Sequence, residues 1–340
     1  MSATAARDSA LVSITLFCLL VLAIPPPTAH TVRLSTDLRK GELSDAGLPT
    51  YFKYKESLLV PVRNQGQCAS CWSFATVDMI ADTLNLRSGG AWKRQLLSAQ
   101  YLLDCSVNSG CDIGGAPEEV YDIPQTTEIG VPLDKDMPYT EKEGVCSSTI
   151  PSGIRVRTVP GTAIDLCVDP DSVPFYQRAR VIAENIRNMK RALLKYGPIV
   201  GTVLVHEDLY DYDAQAVYTV TPKSPVIGWH AVEIVGWCDE AVNWKEPGFD
   251  CAYWVVRSSY GVHFAVPPGV DFGFFYIKMG CNESKVESRA SICEVQIPEH
   301  LQDAVDNFDP FDSYYESYRA YVSDPERNNF VEAVEAAHGR

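Results

Sequence analysis

At Gly197-Pro198 the hydrophobic period of this chain changes, and no other feature limits the fold as strongly. Before that point apolar residues recur at helical spacing. From Cys71 to about Arg87, the residues Phe74, Val77, Ile80, Ala81 and Leu84 share one helical side, and Ser88-Gly89-Gly90 ends the run. A second, short helix is predicted from Ser98 to Asp104, with Ser98 as its cap. A third runs from Arg178 to Tyr196, carrying Val181, Ile186, Met189 and Leu193 on one side. After Gly197-Pro198 the period becomes two and the residues become β-branched and aromatic. "IVGTVLV", "AVYTV", "HAVEIVGW", "AYWVVRSS" and "FGFFYIKM" read as five strands. Helices first and strands second imply an α+β protein of two packed lobes with a cleft between them.

The ends of the chain differ from its body. Ala10 to Ile24 is a 15-residue apolar run followed by "PPPTAH". It is shorter than the roughly 20 residues a membrane span needs, and it resembles the core of a secretory signal. Cleavage is expected near Ala29, giving a signal peptide over residues 1–29 and no membrane attachment afterwards. From Glu299 to Arg340 there are ten Asp and Glu against three Arg and no Lys, a local net of −7 out of −15 for the 340-residue chain. That acidic balance argues against nucleic acid or an anionic membrane as partner. Residues 299–340 read as an acidic extension outside the main fold. Eleven cysteines and the sequon Asn282-Glu283-Ser284 fit an exported, oxidised protein, with Asn282 as a candidate glycosylation site.

The stretch "QGQCASCWSFA", Gln65 to Ala75, holds two cysteines three residues apart. A zinc site would need about two more ligands at suitable spacing, and none is apparent. A redox couple of Cys68 and Cys71 belongs after a strand in a βαβ pattern, whereas the upstream segment here is irregular. The remaining reading makes Cys71 a reactive thiol. It stands at the start of a helix, where unpaired N–H groups and the helix dipole favour an anion, and the thiolate is the nucleophile. Cys68 would then be held in a disulfide elsewhere.

"NQGQCASCWSFA" resembles the active-site segment of the papain/cathepsin cysteine proteases, with Ala69 where the family usually has Gly. "LSAQYLLDCS", "GCDIGG", "YGPIVGTVLV" and "GWHAVEIVGW" extend the resemblance from about Leu48 to Pro298. It implies a papain-like peptidase domain over 49–298 and thiol-dependent hydrolysis of peptide bonds. No cofactor or metal is implied. Cys71 would be the nucleophile, His230 the base, and Gln65 an oxyanion donor beside the Cys71 backbone N–H. Gly114 and Gly115 would contact the substrate backbone, Ala116 would widen the second substrate pocket, and Arg289 would lie at its floor and tolerate an acidic substrate residue. The resemblance also implies disulfides Cys68–Cys111 and Cys105–Cys146. Cys238–Cys251 would clamp a hairpin, and Cys281–Cys293 is a further candidate pair, leaving Cys167 as the odd thiol. Partners would be polypeptide substrates and protein inhibitors of the cystatin type, acting on a monomer. The setting would be the secretory pathway, in a lysosome-like or vacuolar compartment or outside the cell.

Two departures stand out. The family's imidazole-orienting asparagine is replaced by Ser258 in "RSSYG", and its shielding Trp by Tyr260. A serine oxygen lies closer to the backbone, so its contact with His230 is expected to run through water. Residues 30–48 form only a short prosegment, too short for the family's helical inhibitor domain. Besides an active peptidase, two readings therefore stand: a catalytically impaired or inactive papain-fold homologue acting as a binding protein, and a thiol oxidoreductase using Cys68 and Cys71.

Overall fold

The structure, a computed structural model, describes residues 48–106, 109–146, 153–239, 251–265 and 273–306. The expected signal peptide, most of the short prosegment and the acidic segment beyond Asp306 lie outside the described residues.

Among the described residues nine strands occur in chain order: β1 (Tyr51–Lys53), β2 (Val131–Pro132), β3 (Arg155–Val156), β4 (Ile164–Asp165), β5 (Ile199–His206), β6 (Val226–Cys238), β7 (Tyr253–Arg257), β8 (Phe274–Lys278) and β9 (Ala290–Ile292). The three long helices are α1 (Cys71–Arg87), α2 (Ala99–Cys105) and α3 (Phe175–Lys195). The order β4-β9-β5-β6-β7-β8, with β1 added to β6, makes one antiparallel sheet. Helices α1 and α2 pack together, and α1 also packs on β5 and β6. The α+β expectation therefore holds.

Helix α1 begins and ends where its pattern places it, but it is not one-sided. Every residue from Trp72 to Leu86 is buried. A helix covered on all sides is a central element, and its polar residues then need internal partners. Asp78 and Asp82 find them in Arg63 and Arg257. Helix α2 is capped as expected: the Ser98 side chain accepts from the Tyr101 N–H at 3.0 Å. Helix α3 starts three residues earlier than its period suggested, after Pro174, which supplies helix-compatible φ at the boundary.

One expected strand is absent. "AVYTV" contributes only an isolated parallel bridge between Tyr218 and Ile277. The Tyr218 N–H donates to the Tyr276 carbonyl at 2.6 Å and the Lys278 N–H to the Tyr218 carbonyl at 3.2 Å. The segment docks beside β8 without joining its ladder, because its neighbours bend back to bond Asp208: Thr221 N–H and the Tyr218 and Ser224 hydroxyls all donate to that carboxylate.

Strand β6 is the longest, and its two halves have different neighbours. Val226 to Ile234 pairs with β5, while Glu233 to Cys238 pairs with β7. A bulge at Val235 interrupts the pairing with β7, between the Ile234–Val256 and Gly236–Val255 rungs. Beyond it, Gly236 lies so close to β1 that a Cβ there would sit 2.3 Å from the Phe52 carbonyl oxygen, so only glycine lets β1 pair. The first half of β6 overhangs β7, and this overhang carries His230.

Residues 299–306 continue the structure past the body: Leu301 is buried and the His300 ring lies 6.4 Å from that of Trp92.

Candidate active site

Cys71 is the first residue of α1 and is half-buried. The residue before it, Ser70, does not cap the helix with its side chain. Its hydroxyl lies 2.7 Å from the Tyr139 hydroxyl, which in turn donates to the Gln65 carbonyl at 2.8 Å. The Ser70 carbonyl, not its side chain, opens α1, accepting the Ser73 N–H at 3.0 Å and the Phe74 N–H at 3.1 Å. Disulfide Cys68–Cys111 anchors the turn that leads into the helix, and the Ala69 N–H donates to the Cys111 carbonyl at 2.9 Å.

His230 sits in the overhang of β6 and is only 2% exposed. Its Nε2 lies 3.1 Å from the Ser258 Oγ. The expected water-bridged contact is thus corrected to a direct one. Glu233 pairs with Arg257 at the last rung of the β6–β7 ladder, and Ser258 follows directly beyond it. From there the chain turns to Asn64 and Gln65, with Tyr260 bridged to Asn64 and the Gln65 N–H donating to the Ser259 carbonyl at 2.8 Å. Tyr260 lies on the imidazole, with ring centroids 4.1 Å apart and planes at 11°. Burial pushes the His230 pKa down to about 3, so the ring is a neutral base here.

Gln65 ties the thiol segment to the histidine segment. Its Nε2 donates to the Cys68 carbonyl at 2.9 Å. Its Oε1 accepts from the Ser259 hydroxyl at 2.6 Å, and its N–H donates to the Ser259 carbonyl at 2.8 Å. Ser259 and Tyr139 hold this glutamine in place, and the sequence reading singled out neither for that role.

Gly114 and Gly115 lie in a turn closed by reciprocal Gly110–Gly114 backbone bonds of 3.0 Å. Gly114 adopts φ 73°, a left-handed conformation suited to glycine. A Cβ on Gly115 would come within 2.7 Å of the buried Trp72 indole, the residue next to Cys71. Gly115→Ala is therefore expected to lower stability by about 1–3 kcal/mol through overpacking, measured as a shift of the urea midpoint. Ala116 is half-buried and leads into a 3-10 turn over Pro117–Val120. Arg289 is exposed, with its guanidinium 5.6 Å from the Trp229 ring. Burial raises the Glu118 and Asp165 carboxyl pKa values, while the Arg289 charge near both opposes that rise.

The second implied disulfide, Cys105–Cys146, is also formed. The other two expected bridges are not, and the structure corrects both. Cys238 ends β6 opposite Tyr253, the first residue of β7, and Cys251 lies two residues before that strand begins. The Cys238 thiol points instead toward the Asp239 carbonyl at 3.8 Å. Cys281 is exposed in the turn after β8, whereas Cys293 is buried at the end of β9 beside Tyr121. Burial raises the Cys293 and Cys167 thiols far above their ordinary range. The Asn282 side chain turns into its own loop, donating from Nδ2 to the Ser288 Oγ at 2.9 Å and accepting the Glu287 N–H at 3.1 Å. Among the described residues no cluster of three or more metal-ligating side chains occurs, and no helix is long and apolar enough to cross a membrane.

Helix α1, which begins at Cys71, packs against β6, the strand that carries His230. The family model described as "Papain family cysteine protease" matches residues 48–293, and the chain belongs to that family. A cathepsin B-like cysteine proteinase 5 of Caenorhabditis elegans is 28% identical, over 75% of this chain and 76% of its own length. A cathepsin B-like cysteine proteinase 3 of the same organism is 25% identical, over 73% of this chain, and the match spans 66% of that relative. In fold, the chain is similar to the solved procathepsin B S9 from Trypanosoma congolense, with a TM-score of 0.57, 22% identity, and coverage of 81% of this chain and 83% of that one.

Proposed function

We propose that the protein hydrolyses peptide bonds through Cys71 as nucleophile and His230 as base. The observation that carries this reading is the direct His230–Ser258 contact. It uses Nε2 and leaves Nδ1 as the ring nitrogen for the thiol proton. Cys71 gives that proton to His230 and attacks the carbonyl carbon. The oxyanion is met by the Cys71 N–H and the Gln65 amide. Collapse to the thioester expels the amine, which takes the proton back from His230. Water then attacks with His230 as base, and the carboxylate product leaves. The burial that holds the imidazole neutral is a penalty on its charged form, and an adjacent thiolate would offset it.

Ser258 supports the ring while also accepting the Tyr260 N–H at 3.3 Å. Ser258→Ala is expected to cost about 1–3 kcal/mol, roughly ten- to a hundredfold in kcat, with KM nearly unchanged. Equal kcat values for the two proteins would remove Ser258 from the mechanism.

Polypeptides are the substrates in this reading. Gly114, Gly115 and Ala116 would line the substrate path, and Arg289 would tolerate an acidic side chain, though Glu118 and Asp165 already share its charge. Cystatin-type inhibitors and a secretory, lysosome-like, vacuolar or extracellular setting belong to the same proposal. A second reading, an inactive homologue that binds without turnover, is favoured by the near-complete burial of His230. The Cys68–Cys111 bridge weighs against a Cys68–Cys71 redox couple. The test is turnover of a fluorogenic dipeptide panel, together with labelling by an epoxide that alkylates papain-type thiols. Turnover with Cys71 labelled supports the peptidase. Labelling without turnover supports the binding protein.

A further inference from the structure

Below His230 and Ser258 the sheet buries a charge cluster. Glu233 and Arg257 are cross-strand partners, 2% and 3% exposed. Arg257 Nη1 donates to the Val60 carbonyl at 2.6 Å, and its Nη2 donates to the Asp82 Oδ2 at 2.6 Å and to the Glu233 Oε2. Asp82 lies on α1, three turns below Cys71, and its Oδ1 accepts the Val60 N–H at 2.5 Å. One guanidinium thus joins the helix that carries the thiol to the two strands that carry His230 and Ser258.

Two further observations concern Glu233. Its Oε1 is buried and takes no hydrogen bond from the protein. It also lines a small cavity of about 10 Å³, together with Asp78, Arg257, Ser258 and Ser259. That is room for one water molecule. The charged groups facing Glu233 are Arg257 from β7, Asp82 and Asp78 from α1, and Arg63, which Asp78 and the rim residue Asp134 hold. Four carboxyl groups, Asp78, Asp82, Asp134 and Glu233, thus share the two guanidinium groups of Arg63 and Arg257. Two carboxylates on one guanidinium nitrogen cannot both stay ionised cheaply.

We propose that Glu233 is a positioning residue of the peptidase, held as the neutral carboxylic acid, with one water in the cavity linking it to the Ser258–Ser259 segment. Oε2 accepts from Arg257, and Oε1 carries the proton and donates it to that water. This keeps Arg257 committed to Asp82 and Val60, and so keeps the His230 partner in register with α1. The catalytic part rests on the Cys71–His230 reading; the protonation part does not. Burial raises both carboxyl pKa values, and Arg257 opposes the rise. An acid whose folded pKa lies above its unfolded value gives stability that is complete below the unfolded pKa and is lost as pH rises through the folded one. The cluster therefore weakens on the alkaline side.

The test uses the full chain and Glu233→Gln, which keeps the shape and cannot ionise. Infrared spectra of wild type minus Glu233→Gln should show the carbonyl stretch of one further buried protonated carboxyl, lost on alkalinisation. The wild-type unfolding midpoint should fall from acid to alkaline pH more steeply than that of Glu233→Gln. Turnover by the variant should hold its acid-side value to higher pH, with wild type falling about tenfold further behind as Ser258 shifts. No such band in folded wild type at any pH, or parallel pH curves for the two proteins, overturns the proposal. A wild type without turnover would overturn the peptidase reading while the spectra and unfolding curves still decide this one.

Discussion

Cys71→Ser is expected to abolish peptide turnover, lowering kcat/KM by about four to six orders of magnitude, as removal of a nucleophile from a coupled catalytic unit does. A serine hydroxyl is a far weaker acid than a thiol, and His230, held neutral to about pH 3 by burial, lacks the driving force to deprotonate it. The fold should not suffer, because Cys71 is half-buried and takes part in neither disulfide. The check is a fluorogenic dipeptide assay run beside urea unfolding of both proteins. A variant within tenfold of wild type would show that the turnover does not belong to this thiol.

Arg257→Ala should produce a large loss of stability. It leaves Asp82, 0% exposed, and Glu233, 2% exposed, without their cation, and it strips the Val60 carbonyl of its donor. Breaking a buried ion pair by removing one partner costs about 3–5 kcal/mol. That is a large share of the roughly 5–15 kcal/mol that stabilises a domain. Replacing the whole cluster with apolar residues of similar volume (Asp82→Leu, Glu233→Leu and Arg257→Met together) should recover much of the loss, because no charge is then left alone. Urea midpoints of the three proteins measure both effects. A loss below about 1 kcal/mol in Arg257→Ala would mean that water reaches the cluster.

Much of the site was legible in the chain as written. The thiol segment is contiguous, so the reactive cysteine, the turn before it and the helix after it lie within a dozen residues. The histidine opens the β-branched segment "HAVEIVGW", which reads as a strand. What escaped was long-range. "HAVEIVGW" and "AYWVVRSS" each contain one charged residue inside an otherwise apolar strand, and those two charges meet across the β6–β7 ladder as Glu233 and Arg257. Their isolation in apolar runs was the available signal. The failed disulfides have the same origin. Cys238 and Cys251 look like a hairpin clamp by spacing, yet the β6–β7 ladder ends at Cys238 and Tyr253, short of Cys251. "AVYTV" had the composition of a strand, but the Asp208 carboxylate drew its neighbours into a local network.

Short-range physics settled the fold class and the helix with its leading cysteine, because hydrophobic period and helix-end chemistry depend only on neighbours along the chain, whereas the choice of His230 came from the resemblance of its segment to the papain/cathepsin family. The contact between Ser258 and His230, the stacking of Tyr260, the partners of the cysteines and the buried Asp82–Arg257–Glu233 cluster were decided in three dimensions. Each depends on a strand register fixed by residues far apart in sequence, where a shift of a single position would exchange one face of the sheet for the other.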